Sequence, residues 1–207
     1  MSAYTTIARD AVARIEVKHS VFLCTVKRVE TEDEARALVA RLRKDHWDAR
    51  HHCSAFVIGP EGRLQRSSDD GEPSGTAGAP MLDVIVGAGL SDVAAVVTRW
   101  FGGTLLGAGG LVRAYSDAVR AGLDEAGTLR RELVRELETE VDAADAGRIE
   151  NELRTRGIAV LDVSWSDRVR LRLGAAPDDV PRLDSVLAEL TGGAAEARPV
   201  GERWVDR

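Results

Sequence analysis

The stretch DVAAVVTRWFGGTLLGAGGLVRAY, residues 92–115, decides the first half of the fold. Its opening run, DVAAVVTRWF, is apolar on both alternating faces, which predicts an inner strand covered on both sides. The glycine-rich GGTLLGAGG that follows does not read as a continuation of that strand. Beyond it, Leu111, Tyr115, Val119 and Leu123 recur at helical spacing and predict a helix with one buried stripe. A strand, a glycine loop and a helix in that order can present backbone N–H groups and a helix N-terminus to an anion.

Working upstream, the same join occurs one strand earlier. HHCSAFVIG, residues 51–59, reads as a strand, and Gly59-Pro60-Glu61-Gly62 turns it into the short strand RLQRS. The polar loop SSDDGEPSGTAGAP, residues 67–80, then leads to a helix beginning near Pro80, with Leu82, Ile85, Val86 and Gly89 at helical spacing. Residues 13–29 predict two strands around a break at Lys18–Ser20. Thr31 with Glu34 three residues later forms a capping box, and Ala35, Leu38, Val39 and Leu42 continue it as a helix.

Downstream the pattern changes. LVRELETEV alternates Leu133, Leu137 and Val141 against Glu136, Glu138 and Glu140. A helix over 142–156 stops at Gly157. IAVLDVSW and RVRLRLG are strands around Ser166-Asp167. A second helix carries Leu183, Val186, Leu187 and Leu190, and AEARPVGERWV is the last strand. This β-α-β-β-α-β order is the ferredoxin-like split βαβ. It predicts that Arg168, Arg170 and Arg172 lie beside Glu136, Glu138 and Glu140 as an ion-pair ladder on the open face of a sheet. The fold class is therefore α+β with two domains, 1–129 and 130–207, and GTLRRE at 127–132 reads as a short hinge.

Composition sets limits on function. The 207 residues are 44% apolar and 30% charged, with a net charge of -6. Neither half is basic, so strong sequence-independent nucleic-acid binding is not expected, and DNA is not an expected partner. Cys24 and Cys53 sit in apolar strand runs and read as buried thiols. No apolar run approaches the about 18 residues of a membrane span, and a cytoplasmic, soluble protein with no membrane partner is expected.

Three segments carry candidate chemistry. In the glycine stretch, Gly102, Gly103, Gly107 and Gly109 could cradle an anion, with Arg99 and Arg113 as donors. Gly102 and Gly107 have P-loop spacing, but Ala108-Gly109 replace the Lys-Ser/Thr pair. Gly107 and Gly109 begin a dinucleotide fingerprint, but Val112 stands at its third small position. The competing reading is tight strand–helix packing with Trp100 or Phe101 in the core. In the acidic loop, Ser68, Asp69, Asp70, Glu72, Gly75 and Thr76 offer carboxylates and turn formers. The spacing fails the EF-hand pattern. Asp69 is expected to cap its own turn, and the acids to hold Arg50, His52 or Arg99; no metal and no cofactor are expected. In DARHHC, residues 48–53, His51 and Cys53 point to one face, and Arg50 and His52 to the other. Zinc would need further ligands, and an apolar strand raises a thiol's pKa.

Together, DARHHC, SDDGEPSGTAGAPML and VVTRWFGGTLLGAGGLVRAY resemble the signature segments of the IMPACT family, in its bacterial YigZ-type branch, over nearly the whole chain. The resemblance implies that the first domain folds like the second domain of ribosomal small-subunit protein five, and the second like the last domain of elongation factor G. The eukaryotic namesake regulates translation by competing for the activator of a starvation-responsive kinase, through an additional domain not seen in this sequence, so that role is not carried over. For the bacterial branch the resemblance implies no reaction. The expectation is a non-enzymatic regulator of translation that binds RNA, the ribosome or a translation factor. The alternative is a phosphate- or metal-dependent enzyme using the same polar cleft. A pure protein-interaction module is a third reading, with Trp165 and Trp204 as anchors, although core packing is the default for both.

Overall fold

The computed structural model describes residues 2–207. The chain divides into two compact units, Ala3–Arg130 and Arg131–Arg207. The first unit contains β1 (Ala3–Ile7), β2 (Ala11–Val17), β3 (Ser20–Arg28), α1 (Glu32–Asp45), β4 (His51–Ile58), β5 (Leu64–Ser68), α2 (Gly78–Gly87), β6 (Val93–Trp100) and α3 (Ala108–Ala126). Strands β2 to β6 form one sheet in the order β2-β3-β6-β4-β5, with every neighbouring pair antiparallel.

Strand β6 sits in the middle of that sheet, and its two apolar faces explain why. Val93, Ala95 and Val97 pack with Phe22, Cys24, Met81, Ile85, Leu111 and Tyr115, under α2 and α3. Ala94 and Val96 face the other way, toward Ala35, Leu38 and Leu42 of α1 with Phe56 and Ile58. The sheet is thus covered by two helices on one side and one on the other. Helix α1 starts with the reciprocal Thr31–Glu34 capping box, a device worth about 1 kcal/mol. Lys18 and His19 take positive φ at the break between β2 and β3.

The second unit contains β7 (Thr128–Val141), α4 (Ala143–Thr155), β8 (Ala159–Trp165), β9 (Val169–Ala175), a 3-10 turn at Pro177–Asp179, α5 (Val180–Thr191) and β10 (Arg198–Asp206). Its strands lie in the order β10-β7-β9-β8, the ferredoxin-like arrangement. Leu137, Ile149, Leu153, Leu171, Leu173 and Leu183 fill the core between sheet and helices. On the opposite face the register sets Glu138 against Arg172 and Glu140 against Arg170. Arg170 reaches Glu138 at 3.2 Å and Glu140 at 3.5 Å, and Arg172 reaches Glu136 at 3.9 Å, whereas Arg168, expected in the same row, pairs with Asp142 at 3.5 Å. The arginines are half exposed, so each pair contributes only about 0.2–1 kcal/mol.

Three sequence expectations need correction, and one strand was not expected. Helix α2 begins at Gly78, ahead of Pro80, because a distant carboxylate caps its first N–H groups. GTLRRE is not an irregular connector: β7 begins at Thr128, and Arg131 and Glu132 are in register with Asp206 and Val205 of β10. Strand β1 has no counterpart in the sequence reading; Thr5 makes a parallel bridge to Leu90. Trp165, expected in the core, is 64% exposed; it is the last residue of β8, where the strand turns back through Ser166.

Candidate functional site

The site is built where the loops entering α2 and α3 meet the end of β6. Arg99, one residue before the end of that strand, is buried and donates from Nη1 to Glu72 Oε1 at 2.6 Å. The Tyr115 hydroxyl, one turn into the buried stripe of α3, donates to the same oxygen at 2.7 Å. Cys53 Sγ lies 3.3 Å from that hydroxyl and 3.0 Å from the Asp69 carbonyl. The Arg99 guanidinium also stands 5.3 Å over the Phe22 ring and 5.8 Å from that of Phe101. Its side chain is 7% exposed and that of Glu72 4%. A charge pair this deep holds only because each partner compensates the other.

The acidic loop is ordered by its own carboxylates. Asp69 accepts N–H bonds from Gly75 at 2.8 Å, Ala77 at 3.0 Å and Gly78 at 2.8 Å, so it caps α2 from across the loop. Burial opposes its ionisation, but the three N–H groups outweigh that and hold the carboxyl below its ordinary range. Asp70, at positive φ, accepts the His52 backbone N–H at 2.6 Å and pairs with Arg43 of α1. Its carbonyl accepts from His51 Nδ1 at 2.9 Å. Ser68 Oγ accepts the Asp70 N–H at 3.3 Å, and Thr76 Oγ1 donates to the Pro73 carbonyl at 2.7 Å.

The second loop is held by backbone proximity. A Cβ on Gly102 would stand 2.0 Å from the His19 carbonyl carbon, so no other residue fits there without moving the β2–β3 turn. The Gly102 N–H donates to Ser20 Oγ at 3.1 Å. Gly103 and Gly107 take positive φ, and Gly107 starts α3 with no side-chain cap. Gly109 stands in open space in the first turn of that helix.

The acids therefore hold Arg99 and His52, as the sequence suggested, but Arg43 takes the place expected for Arg50. Arg50 and Arg113 are exposed and make no ion pair among the described residues. Neither Trp100 nor Phe101 fills the core. Trp100 is half-buried, donates Nε1 to Asp48 Oδ2 at 2.9 Å and sets its ring edge-on to His46 at 5.4 Å. Phe101 is 47% exposed. Phe22 of β3 takes the core position instead, edge-on to Tyr115. The sequence reading missed the Tyr115 hydroxyl, which was visible only as part of an apolar stripe. The signal available was that a buried phenol requires a polar partner.

Chemically the cluster is quiet. Burial pushes the Cys53 thiol up to about 12; the Tyr115 hydrogen bond opposes this and the nearby carboxylates add to it. Burial likewise raises Tyr115, with Cys53 and Glu72 adding to the shift. His52 is buried and held below its ordinary value, first by desolvation and then by the Arg43 charge, with Asp70 opposing. Among the described residues, no group of three or more His, Cys, Asp or Glu side chains is placed to hold a metal ion. None of their helices is long and apolar enough to cross a membrane.

Fold and site together define a two-unit α+β protein with a glycine-loop site on its first unit. The Impact N-terminal domain profile matches residues 18–123, and a domain of unknown function matches residues 139–194. The chain is 40% identical over 198 residues to the IMPACT family member YvyE of Bacillus subtilis, covering 96% of this chain and 91% of that one. It is 35% identical over 189 residues to the IMPACT family member YigZ of Escherichia coli, covering 90% and 93%. A crystal structure described as that of a hypothetical protein matches with a TM-score of 0.66 at 33% identity, covering 97% and 98%. The chain belongs to the IMPACT family.

Proposed function

We propose that this protein regulates translation by binding, without catalysing a reaction, and that the glycine-loop end of its first unit engages single-stranded RNA of a ribosomal or translation complex. The observation that carries this reading is the exposure of Trp47 (83%), Leu105 (83%) and Phe101 at that end. Trp47 lies between His46 and Asp48, both of which touch Trp100, and Phe101 follows Trp100 directly. Large exposed apolar side chains suit unstacked bases, and the exposed Arg50, which precedes β4, and Arg113, in the second turn of α3, suit their phosphates. The uncapped N-terminus of α3 adds backbone donors to the same surface. Beneath it, Glu72 accepts from Arg99 and Tyr115, and Cys53 touches the Tyr115 hydroxyl, so these four side chains work as a frame. An enzyme at this site has less support, because the thiol is held protonated and the buried carboxylate is already paired.

The test is co-sedimentation with ribosomal subunits, together with fluorescence anisotropy on single-stranded RNA, across a salt series. Phe101→Ala should weaken RNA binding about tenfold, the loss expected for one stacked base. Arg113→Ala should weaken it and reduce the slope of log affinity against log salt by about 1. If both variants bind RNA and subunits as the parent does, the reading fails.

A further inference from the structure

A second surface of the first unit has its own geometry. Helix α1 packs over β4 and β6, leaving the same sheet face open toward β5. The gap beside α1 is a groove of about 420 Å³. Val39, Ala40 and Phe56 line its apolar part, and Arg36, Arg43 and Arg66 stand around it. Glu32 is the one acid of its lining, in a chain whose net charge is -6. Arg36 pairs with Glu32 and Arg43 with Asp70, whereas among the described residues the Arg66 guanidinium donates only to the Gln65 carbonyl at 3.0 Å.

Strand β5 is also the end of its sheet. It pairs with β4 alone, so its outer edge carries backbone groups that no other strand takes up. Ser54 stands opposite Ser68, and Phe56 opposite Arg66, so these four side chains share the face that lines the groove. A strand laid along that edge would direct alternate side chains over this face. We infer that the groove between α1 and β5 is a docking site for an extended peptide of a partner protein, with apolar residues at its centre and carboxylates at its ends. The arginines select the charge, the open edge selects the extended backbone, and the apolar floor accepts the alternate side chains. The polar side chains of β5 disfavour a packed helix as the occupant. The inference does not depend on RNA binding at the glycine loops.

The probe is a fluorescent nine-residue peptide with alternating valine and threonine in the middle and two glutamates at each end. It should bind the full chain saturably, and hydrogen exchange should slow at the β5 amides. Ala40→Trp fills the groove from an exposed helix position and should abolish binding. Arg36→Glu with Arg66→Glu should weaken it at least about tenfold. Phe101→Ala should leave it unchanged, which separates this site from the RNA surface. Retained thermal stability of the variants, all surface substitutions, shows that losses come from the groove. Four results would overturn the inference: no saturable binding, equal binding of a lysine-ended peptide, binding unaffected by Ala40→Trp, or competition by single-stranded RNA.

Discussion

At the level of single residues, the deepest commitment is the Arg99–Glu72 pair. Glu72→Ala leaves a guanidinium buried beside Phe22 with neither its carboxylate nor the Tyr115 bond to that carboxylate. Breaking such a pair costs about 3–5 kcal/mol, which should lower the melting temperature by roughly 10 °C in a differential scanning experiment. A variant that melts within a degree or two of the parent would show that the pair is dispensable. His52 gives a second prediction at this scale. Its folded pKa lies below the ordinary histidine value because burial and Arg43 disfavour the imidazolium. The unfolded chain therefore binds this proton more readily, and stability falls as pH drops below about 6.5, levelling off once the folded pKa is passed. Urea denaturation at pH 7.5 and 5.5 should show a smaller difference for His52→Gln than for the parent; an equal difference would assign the pH dependence elsewhere. Asp69 acts in a lower window: its stabilisation is present above the ordinary aspartate pKa and is lost as pH falls through its depressed folded value.

At the level of elements, two glycines a few residues apart in one loop and helix behave oppositely. Gly102→Ala must displace the backbone of the β2–β3 turn, which no side-chain rotation relieves. Gly109→Ala adds a methyl group to open space in the first turn of α3, without a positive φ to oppose it. The first should be strongly destabilising by chemical denaturation, and the second neutral or stabilising by up to about 1 kcal/mol. The same order for both, or a reversal, would mean that the loop tolerates rearrangement. This contrast also marks how far sequence patterns reach. That β6 is an inner strand was legible, because apolar residues on both faces have only one satisfactory place in a sheet. The capping box at Thr31 was legible because both of its partners lie within one helical turn. The start of α2 was not, because its cap is Asp69, eight or more residues away, and it works only once the loop has closed. The exposure of Phe101 was not legible either. Composition does not report that Phe22 from another strand already occupies the space beneath Arg99.

For the molecule as a whole, the question is whether each half of the chain carries enough information to fold. The split βαβ order was legible because alternation in the strands and stripes in the helices are local signals. The charge ladder followed from it, since strand order sets which rows stand opposite. What periodicity did not report was how far upstream β7 extends: Arg131 and Glu132 are charged, yet they stand in the strand opposite Asp206 and Val205 of β10. The second unit has its own core, with Leu137, Ile149, Leu153, Leu171, Leu173 and Leu183 closely packed. Domains of this size are near the lower limit at which a single core suffices without disulfides or metal. We therefore expect the fragment 128–207, which keeps the whole of β7, to unfold cooperatively in urea with a native-like circular dichroism spectrum. Starting the fragment at residue 133 removes the β7 positions opposite Asp206 and Val205 and should lower its stability further. The ladder should matter little to either fragment: Arg170→Ala should cost less than about 1 kcal/mol, and added salt should shrink that cost. A fragment 128–207 that binds hydrophobic dyes and melts without a transition would show that the core of this unit is insufficient on its own.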